Sequence, residues 1–205
     1  MPIRGTLKGY DVKDYGAIGS GMVDDTIAIQ NCLDDAASTG GTVFFPFGTY
    51  LVGRSPDNGT PKKNLIIKGN NVHLLGEEGA TILMNTNADE SEGLLESEGV
   101  QGSTARTDDI TIENLVIRGY QSRISGKGAK YAIFFKRADR LRIIRCRVER
   151  IFARDETPQT PPWNGGAIRI HHSTSEAIVA FNHIELPVFK KFGCGEFLQD
   201  HGRCV

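Results

Sequence analysis

The chain has 205 residues, a formal net charge of −1 and 24 glycines, enough for one domain with a sizeable core and many turns. That balance gives no global case for a nucleic-acid partner. No stretch reaches the roughly 18 consecutive apolar residues of a membrane-crossing helix, and the opening Met1–Thr6 has no apolar core, so neither a membrane span nor a secretory leader is expected.

The first elements fall between Asp11 and Val52. Ile29, Cys32, Leu33 and Ala36 recur at helical spacing, so a helix is predicted over Thr26–Ala37. Asp24 or Asp25 stands at its N-cap, where a carboxylate is favoured, and Gly40 and Gly41 stop it. Thr42–Phe45 and Thr49–Val52 are β-rich runs about a turn at Pro46 and Gly48. One helix followed only by strands suits a helical plug on the end of a stacked β structure.

The ordered motifs Val12-Lys-Asp-Tyr-Gly-Ala17, Gly21-Met-Val-Asp-Asp-Thr26 and Gly40-Gly-Thr-Val-Phe-Phe-Pro-Phe-Gly-Thr-Tyr50 resemble the start of pectate-lyase-like right-handed parallel β-helix proteins. The resemblance implies an all-β solenoid with an N-terminal capping helix. It does not select a reaction, because this cap precedes lyases, hydrolases, epimerases and phage tailspikes alike. Members are usually longer, so a short or partial member is expected. Its cap and first coil would occupy residues 1–53, further coils 54–186 and an irregular end 187–205. A full-length relative would be extracellular or virion-associated, and a tailspike-like member would form a homotrimer.

Beyond the cap, Leu65–Ile67, Val72–Leu75 and Ala80–Met84 read as short strands separated by glycine-bearing turns. Glu77, Glu78, Asp89, Glu90, Glu92, Glu96 and Glu98 follow without an intervening Lys or Arg. This acidic stretch reads as a solvated insertion, with calcium as the one ion it would suit. No other cofactor or metal motif is visible.

An internal repeat then begins. Asp109–Ile117, Arg140–Val148 and Glu176–Ile184 align, giving inward columns Ile110/Leu141/Ala177, Ile112/Ile143/Val179, Leu115/Cys146/Asn182 and Ile117/Val148/Ile184. A single repeat is too small to bury its apolar face, whereas stacked repeats share a core. The period-two alternation breaks at the third column, where the chain must turn a corner. Tyr131–Phe135 and Gly166–Ile170 supply a further strand per coil, and Phe134 and Phe135 read as core. Residues 118–130 and 153–165 are insertions of the kind that gather on one face and shape a groove. Phe189, Phe192 and Phe197 are expected to fold over the open end.

Several side chains could carry chemistry. Lys136, Arg137, Arg140, Arg142, Arg145, Arg147, Arg150 and Arg154 make a basic ridge. It is either a solvated face balanced by the acidic stretch or a binder of an acidic polysaccharide, since arginine forks onto carboxylates. Asp155 and Glu156 lie in a Pro-rich loop with Trp163, offering an acid and a ring to stack a sugar. His171 and His172 end a strand that carries Arg169. A histidine with an arginine suits proton abstraction beside a uronate carboxylate. The expected roles are His171 as general base or acid, Asp155 or Glu156 as acid, Arg169 and Lys136 as carboxylate binders, and Trp163 and His172 as further substrate contacts. The segment Ala167–His171 resembles the strand where related alginate epimerases carry Asp-Pro-His, but Arg169 and Ile170 replace the first two residues. The motifs of polygalacturonase-type hydrolases are missing. Cys32 and Cys146 read as buried thiols, while Cys194 and Cys204, with His201 between them, fit no standard zinc spacing. A carbohydrate-active enzyme, by lyase or glycoside hydrolase chemistry, is thus set against a non-catalytic polysaccharide-binding or tailspike-like module, or an inactive fragment.

Overall fold

The computed structural model describes residues 9–53, 65–84, 91–101, 104–119, 129–151, 166–171 and 174–185. The chain winds as a right-handed parallel β-helix of short strands. The first coil holds β1 (Gly9–Asp11), β2 (Ser20–Asp24) and the helix α1 (Thr26–Thr39). The second holds β3 (Gly41–Phe45), β4 (Thr49–Val52) and β5 (Leu65–Ile67). Then come β6 (Val72–Gly76), β7 (Thr81–Met84) and β8 (Ser91–Ser97), followed by β9 (Thr111–Glu113), β10 (Val116–Arg118) and β11 (Ala129–Phe135). The fifth coil is β12 (Arg142–Ile144), β13 (Arg147–Glu149) and β14 (Gly166–Ile170), and β15 (Ile178–Ala180) with β16 (His183–Glu185) opens a sixth. Corresponding strands stack into a first sheet β1-β3-β6-β9-β12-β15, a second β2-β4-β7-β10-β13-β16 and a third β5-β8-β11-β14.

The predicted columns are in register. Ile112 pairs with Ile143 and Ile143 with Val179, and the same column continues back through Leu74, Val43 and Tyr10. Ile117, Val148 and Ile184 form the second column, extended by Ile82 and Tyr50. Most of these side chains are fully buried, so the core runs along the axis and every coil borrows apolar surface from its neighbours.

Corners are built by backbone that leaves the extended region. Asn114, Arg145 and Phe181 have φ of 54°, 52° and 57°, which is how two residues turn the first sheet into the second. This is the corner the broken alternation predicts. A second series, Asn71, Asp109, Arg140 and Glu176, lies between 50° and 59° before the first-sheet strands. Left-handed φ costs a non-glycine residue roughly 1 kcal/mol or more. A polar ladder offsets it. Asp108 donates its backbone N–H to Asn70 Oδ1 at 2.8 Å, Asp139 to Asp108 Oδ1 at 2.8 Å, and Ser175 to Asp139 Oδ1 at 3.2 Å.

The helix stands where the first coil would otherwise have a third-sheet strand. Ile29, Cys32, Leu33 and Ala36 are buried as predicted. The buried Gln30 amide closes the edge of β5: its Oε1 accepts from the Ile66 N–H at 2.8 Å and its Nε2 donates to the Ile66 carbonyl at 2.9 Å. An unpaired strand edge is thereby satisfied by one side chain. Asp25 occupies the N-cap position without capping the helix. Its carboxylate instead accepts from Ile18 N–H at 2.6 Å and Gly19 N–H at 3.0 Å. Burial raises its pKa against those two donors.

Two expectations are corrected here. Glu96 is not part of a solvated insertion: it lies in β8 and is fully buried, because Leu94 and Leu95 on the same strand must reach the core. The pairing of three arginines of the basic ridge is not the expected one either. Arg140 forks onto Asp109 at 2.6 and 2.7 Å, Arg145 pairs with Glu113, and Arg147 pairs with Glu149 and Glu185. Arg118 adds a 2.6 Å contact to Glu149. The balancing carboxylates come from the repeat coils themselves, not from the acidic stretch. Cys32 and Cys146 are free and buried. Burial pushes their thiols up to about 12 and about 11, so both are packing groups. Cys194, Cys204, His201, Phe189, Phe192 and Phe197 lie outside the described residues.

Candidate functional site

The first sheet meets the second through two-residue corners at 114–115, 145–146 and 181–182, whereas the links into the third sheet run through 53–64, 85–90, 119–128 and 150–165. By connectivity the long links all run into the third sheet, and in solenoids long insertions mark the functional side.

Its strands depart from simple alternation. Leu94-Leu95, Ala132-Ile133 and Ala167-Ile168 are buried as consecutive pairs, while the pairing between strands keeps a constant offset, so the in–out alternation breaks at the same place in each of these coils. The outward positions then fall three apart. A Cβ placed on Gly93 would sit 3.1 Å from Phe134 Cβ and 3.2 Å from Glu96 Cβ. Tyr131 and Phe134 likewise share a side, with ring centroids 5.4 Å apart. The break thus groups Tyr131 and Phe134 in one coil beside Arg169 in the next, because Phe134 is in register with Arg169.

Arg169 is tightly positioned. Its Nη1 donates to Tyr131 Oη at 2.9 Å. Its guanidinium carbon lies 5.2 Å from the Tyr131 ring centroid and 5.0 Å from that of Phe134. Stacking and one hydrogen bond hold the guanidinium plane, the group that forks onto an oxyanion. One step along, the backbone ladder continues: His171 N–H donates to the Phe135 carbonyl at 2.8 Å, and the His171 carbonyl accepts from Thr174 N–H at 2.8 Å. Lys136 follows Phe135 on the neighbouring coil. Its backbone is fixed at both ends by Ser97 Oγ, which accepts from Lys136 N–H at 2.9 Å and donates to the Lys136 carbonyl at 2.8 Å. Lys136, Arg169 and His171 are all half-buried. Below them, the buried Glu96 carboxylate accepts from Gly93 N–H at 3.1 Å.

Three of the sequence-predicted residues, Lys136, Arg169 and His171, thus lie at the C-terminal ends of two adjacent third-sheet strands. His172, Asp155, Glu156 and Trp163 lie outside the described residues. Reading Phe134 and Phe135 together as core is half right: Phe135 is fully buried inside, and Phe134 underlies Arg169. The available signal was the adjacency itself, since successive residues of a strand face opposite ways. Tyr131 and Glu96 were missed because the alternation breaks within the strand and shifts the outward phase. No cluster of metal-ligating side chains occurs among the described residues, and no described helix is long and apolar enough to cross a membrane.

Parallel three-sheet coils behind a helical lid define a pectate-lyase-like solenoid. The chain belongs to the rhamnogalacturonase A/epimerase, pectate lyase-like family, whose model matches residues 10–141. It is 50% identical over 70 residues to the mannuronan C5-epimerase AlgE2 of Azotobacter vinelandii, covering 33% of this chain and 6% of that protein. It is 36% identical over 124 residues to alginate lyase 7 of the same organism, covering 58% of this chain and 13% of that one. Among solved structures, PfbA, a surface adhesin of Streptococcus pneumoniae, superposes with a TM-score of 0.69 at 24% identity, covering 93% of this chain and 43% of the adhesin chain. The chain therefore spans a small part of these curated relatives and under half of the solved one.

Proposed function

We propose that the outer face of the third sheet binds an acidic polysaccharide and that Arg169 takes its anionic group. The observation that carries this reading is the Arg169 guanidinium, stacked on Tyr131 and Phe134 and tied to the Tyr131 hydroxyl, in the sheet into which the long links run. A planar, pre-oriented guanidinium suits a forked carboxylate better than a mobile cation does. Relatives whose names refer to mannuronan and alginate support a polyuronate.

The chemistry that fits these groups is β-elimination. Arg169 and Lys136 neutralise the uronate carboxylate, which acidifies the adjacent C–H. His171 takes that proton, the electron pair forms the ring double bond, and the C4–O bond breaks. Asp155 or Glu156 protonates the leaving oxygen, with Trp163 and His172 holding neighbouring sugars. A second reading, binding without turnover, is favoured by one observation: the position where related alginate epimerases carry aspartate is Arg169, already engaged with two rings.

Incubation with polymannuronate and polygalacturonate separates these readings. Ultraviolet absorbance from an unsaturated product, lost in His171→Ala, is the expected outcome for the lyase. New reducing ends without that absorbance would replace lyase by hydrolase chemistry. Binding with neither signal leaves the adhesin-like role. Arg169→Ala is expected to weaken polyuronate binding about ten- to hundredfold, the roughly 1.5–3 kcal/mol of a charge-assisted hydrogen bond. Unchanged affinity would remove the site.

A further inference from the structure

Among the described residues, two phenylalanines stand largely in solvent, Phe47 at 72% and Phe181 at 88% exposure. Both lie on the edge where the first sheet turns into the second. Hydrogen bonds stack this edge coil upon coil. Glu77 N–H donates to the Phe45 carbonyl at 2.8 Å, Asn114 N–H to the Ile144 carbonyl at 3.2 Å and Arg145 N–H to the Ala180 carbonyl at 3.3 Å. Asn114 Nδ2 donates to the Gly76 carbonyl at 2.8 Å, and a Cβ on Gly79 would lie 3.1 Å from the Phe47 ring. From the second coil to the sixth, the edge therefore runs Phe47, Glu77 with Glu78, Asn114, Arg145 and Phe181. At about 4.8 Å per coil its two rings are about 19 Å apart.

Single exposed apolar residues are ordinary on a protein surface, but this row has a symmetry. It reads apolar, acidic, amide, basic, apolar. Turned end for end about Asn114, its apolar ends coincide and its acidic coil falls on its basic one. A two-fold contact requires this, because residue i then meets residue j while j meets i. Two edges laid parallel would instead set Glu77 and Glu78 against their own copies, and Arg145 against its own, which repel. Glu77 accepts from the Phe47 N–H at 2.7 Å, so Glu78 is the exposed carboxylate beside it on the same turn. Arg145 pairs with Glu113 within the chain, yet its side chain stays 60% exposed. Phe181 holds its ring in water from a left-handed backbone with φ of 57°, a conformation unfavourable for a bulky side chain.

We propose that two copies of the chain associate along this edge, antiparallel about a two-fold axis at Asn114, with each Phe47 against the partner's Phe181 and each Glu78 against the partner's Arg145. The contact is one edge wide, so it belongs with the small interfaces below about 1,200 Å², and a dissociation constant of about 10–100 µM is expected. Sedimentation velocity from about 1 to about 300 µM brackets that range. The mean mass is expected to climb from one chain towards two. Phe181→Ser is expected to weaken association about tenfold or more. Arg145→Glu and Glu78→Arg, each alone, set like charges together twice per dimer and are expected to abolish association over this range. An equimolar mixture of those two variants restores opposite charges at both contacts and is expected to associate again. Phe181 is so exposed that its substitution leaves folding intact, which keeps the test valid whatever Arg145→Glu does to the pairing with Glu113. A chain that stays monomeric throughout, a trimer, association that ignores Phe181→Ser, or charge variants that fail to complement each other overturns the proposal.

Discussion

Arg169 owes its position to the residue beneath it in the stack. Without the broken alternation in β11, Tyr131 would point into the core with Ile133 and Phe135, and the guanidinium would lose its hydrogen bond. Tyr131→Phe keeps the ring and removes only the hydroxyl. Polyuronate affinity is expected to fall about three- to tenfold, the cost of about one net hydrogen bond, with the Arg169→Lys variant no better than the alanine one because lysine cannot fork or stack. Calorimetric titration measures both, and a neutral oligosaccharide is the control that should not respond. The acidic residues of the polar ladder set a second residue-scale expectation. The hydrogen bond from Arg140 and its positive charge hold Asp109 below the ordinary carboxylate range. The Ser175 hydroxyl and the Arg106 charge do the same for Asp139. A carboxylate depressed in the folded state stabilises it above the unfolded value of about 3.9, and that contribution is lost as pH falls through the folded value. Asp25, raised by burial, works in the opposite sense, since its protonated form favours folding. Thermal melts from neutral pH down towards 3 are therefore expected to show a falling Tm, less steeply in a variant with both Asp109→Asn and Asp139→Asn. A Tm that rises on acidification would mean that Asp25 dominates.

At the level of elements, the cap helix behaves as a substitute strand. It supplies apolar area from Ile29, Cys32, Leu33 and Ala36, and the Gln30 amide supplies the donor and acceptor that a neighbouring strand would have offered Ile66. Gln30→Ala leaves two buried backbone groups unpaired and is expected to destabilise the fold by about 2–4 kcal/mol. Gln30→Glu keeps the acceptor but loses the donor, and should fall between the two. Urea unfolding measures this, and a loss below about 0.5 kcal/mol would show that water replaces the amide freely. The third-sheet strands illustrate the reverse case. Their broken alternation is repeated in three coils stacked in phase, so no single strand announces it.

For the whole molecule, stability is shared along the axis, so a change in a central column acts on the coils above and below it. Ile143 is fully buried between Ile112 and Val179. Ile143→Ala is expected to cost about 2–5 kcal/mol, whereas Val179→Ala, in a half-buried position of the terminal coil, should cost visibly less. Denaturant midpoints for the pair check the gradient, and equal losses would contradict it. Oligomeric state belongs to the same scale. A homotrimer by light scattering would favour a tailspike-like role over a single-chain lyase.

The linear sequence by itself determined the cap, the columns and the corners. Helical spacing from Ile29 to Ala36 and recurrent apolar pairs such as Ile112/Ile143 are local patterns, and local patterns survive in a one-dimensional reading. Only the tertiary structure decided which charged and aromatic groups meet. Arg140 finds Asp109, Tyr131 finds Arg169 and Gln30 finds Ile66 across separations of 31, 38 and 36 residues. Those partners lie one winding away, at a distance set by the lengths of the intervening loops and by breaks in alternation that shift the outward phase. The physical reason is that a solenoid turns sequence separation into vertical adjacency, and the register of that stacking is fixed by the packed core.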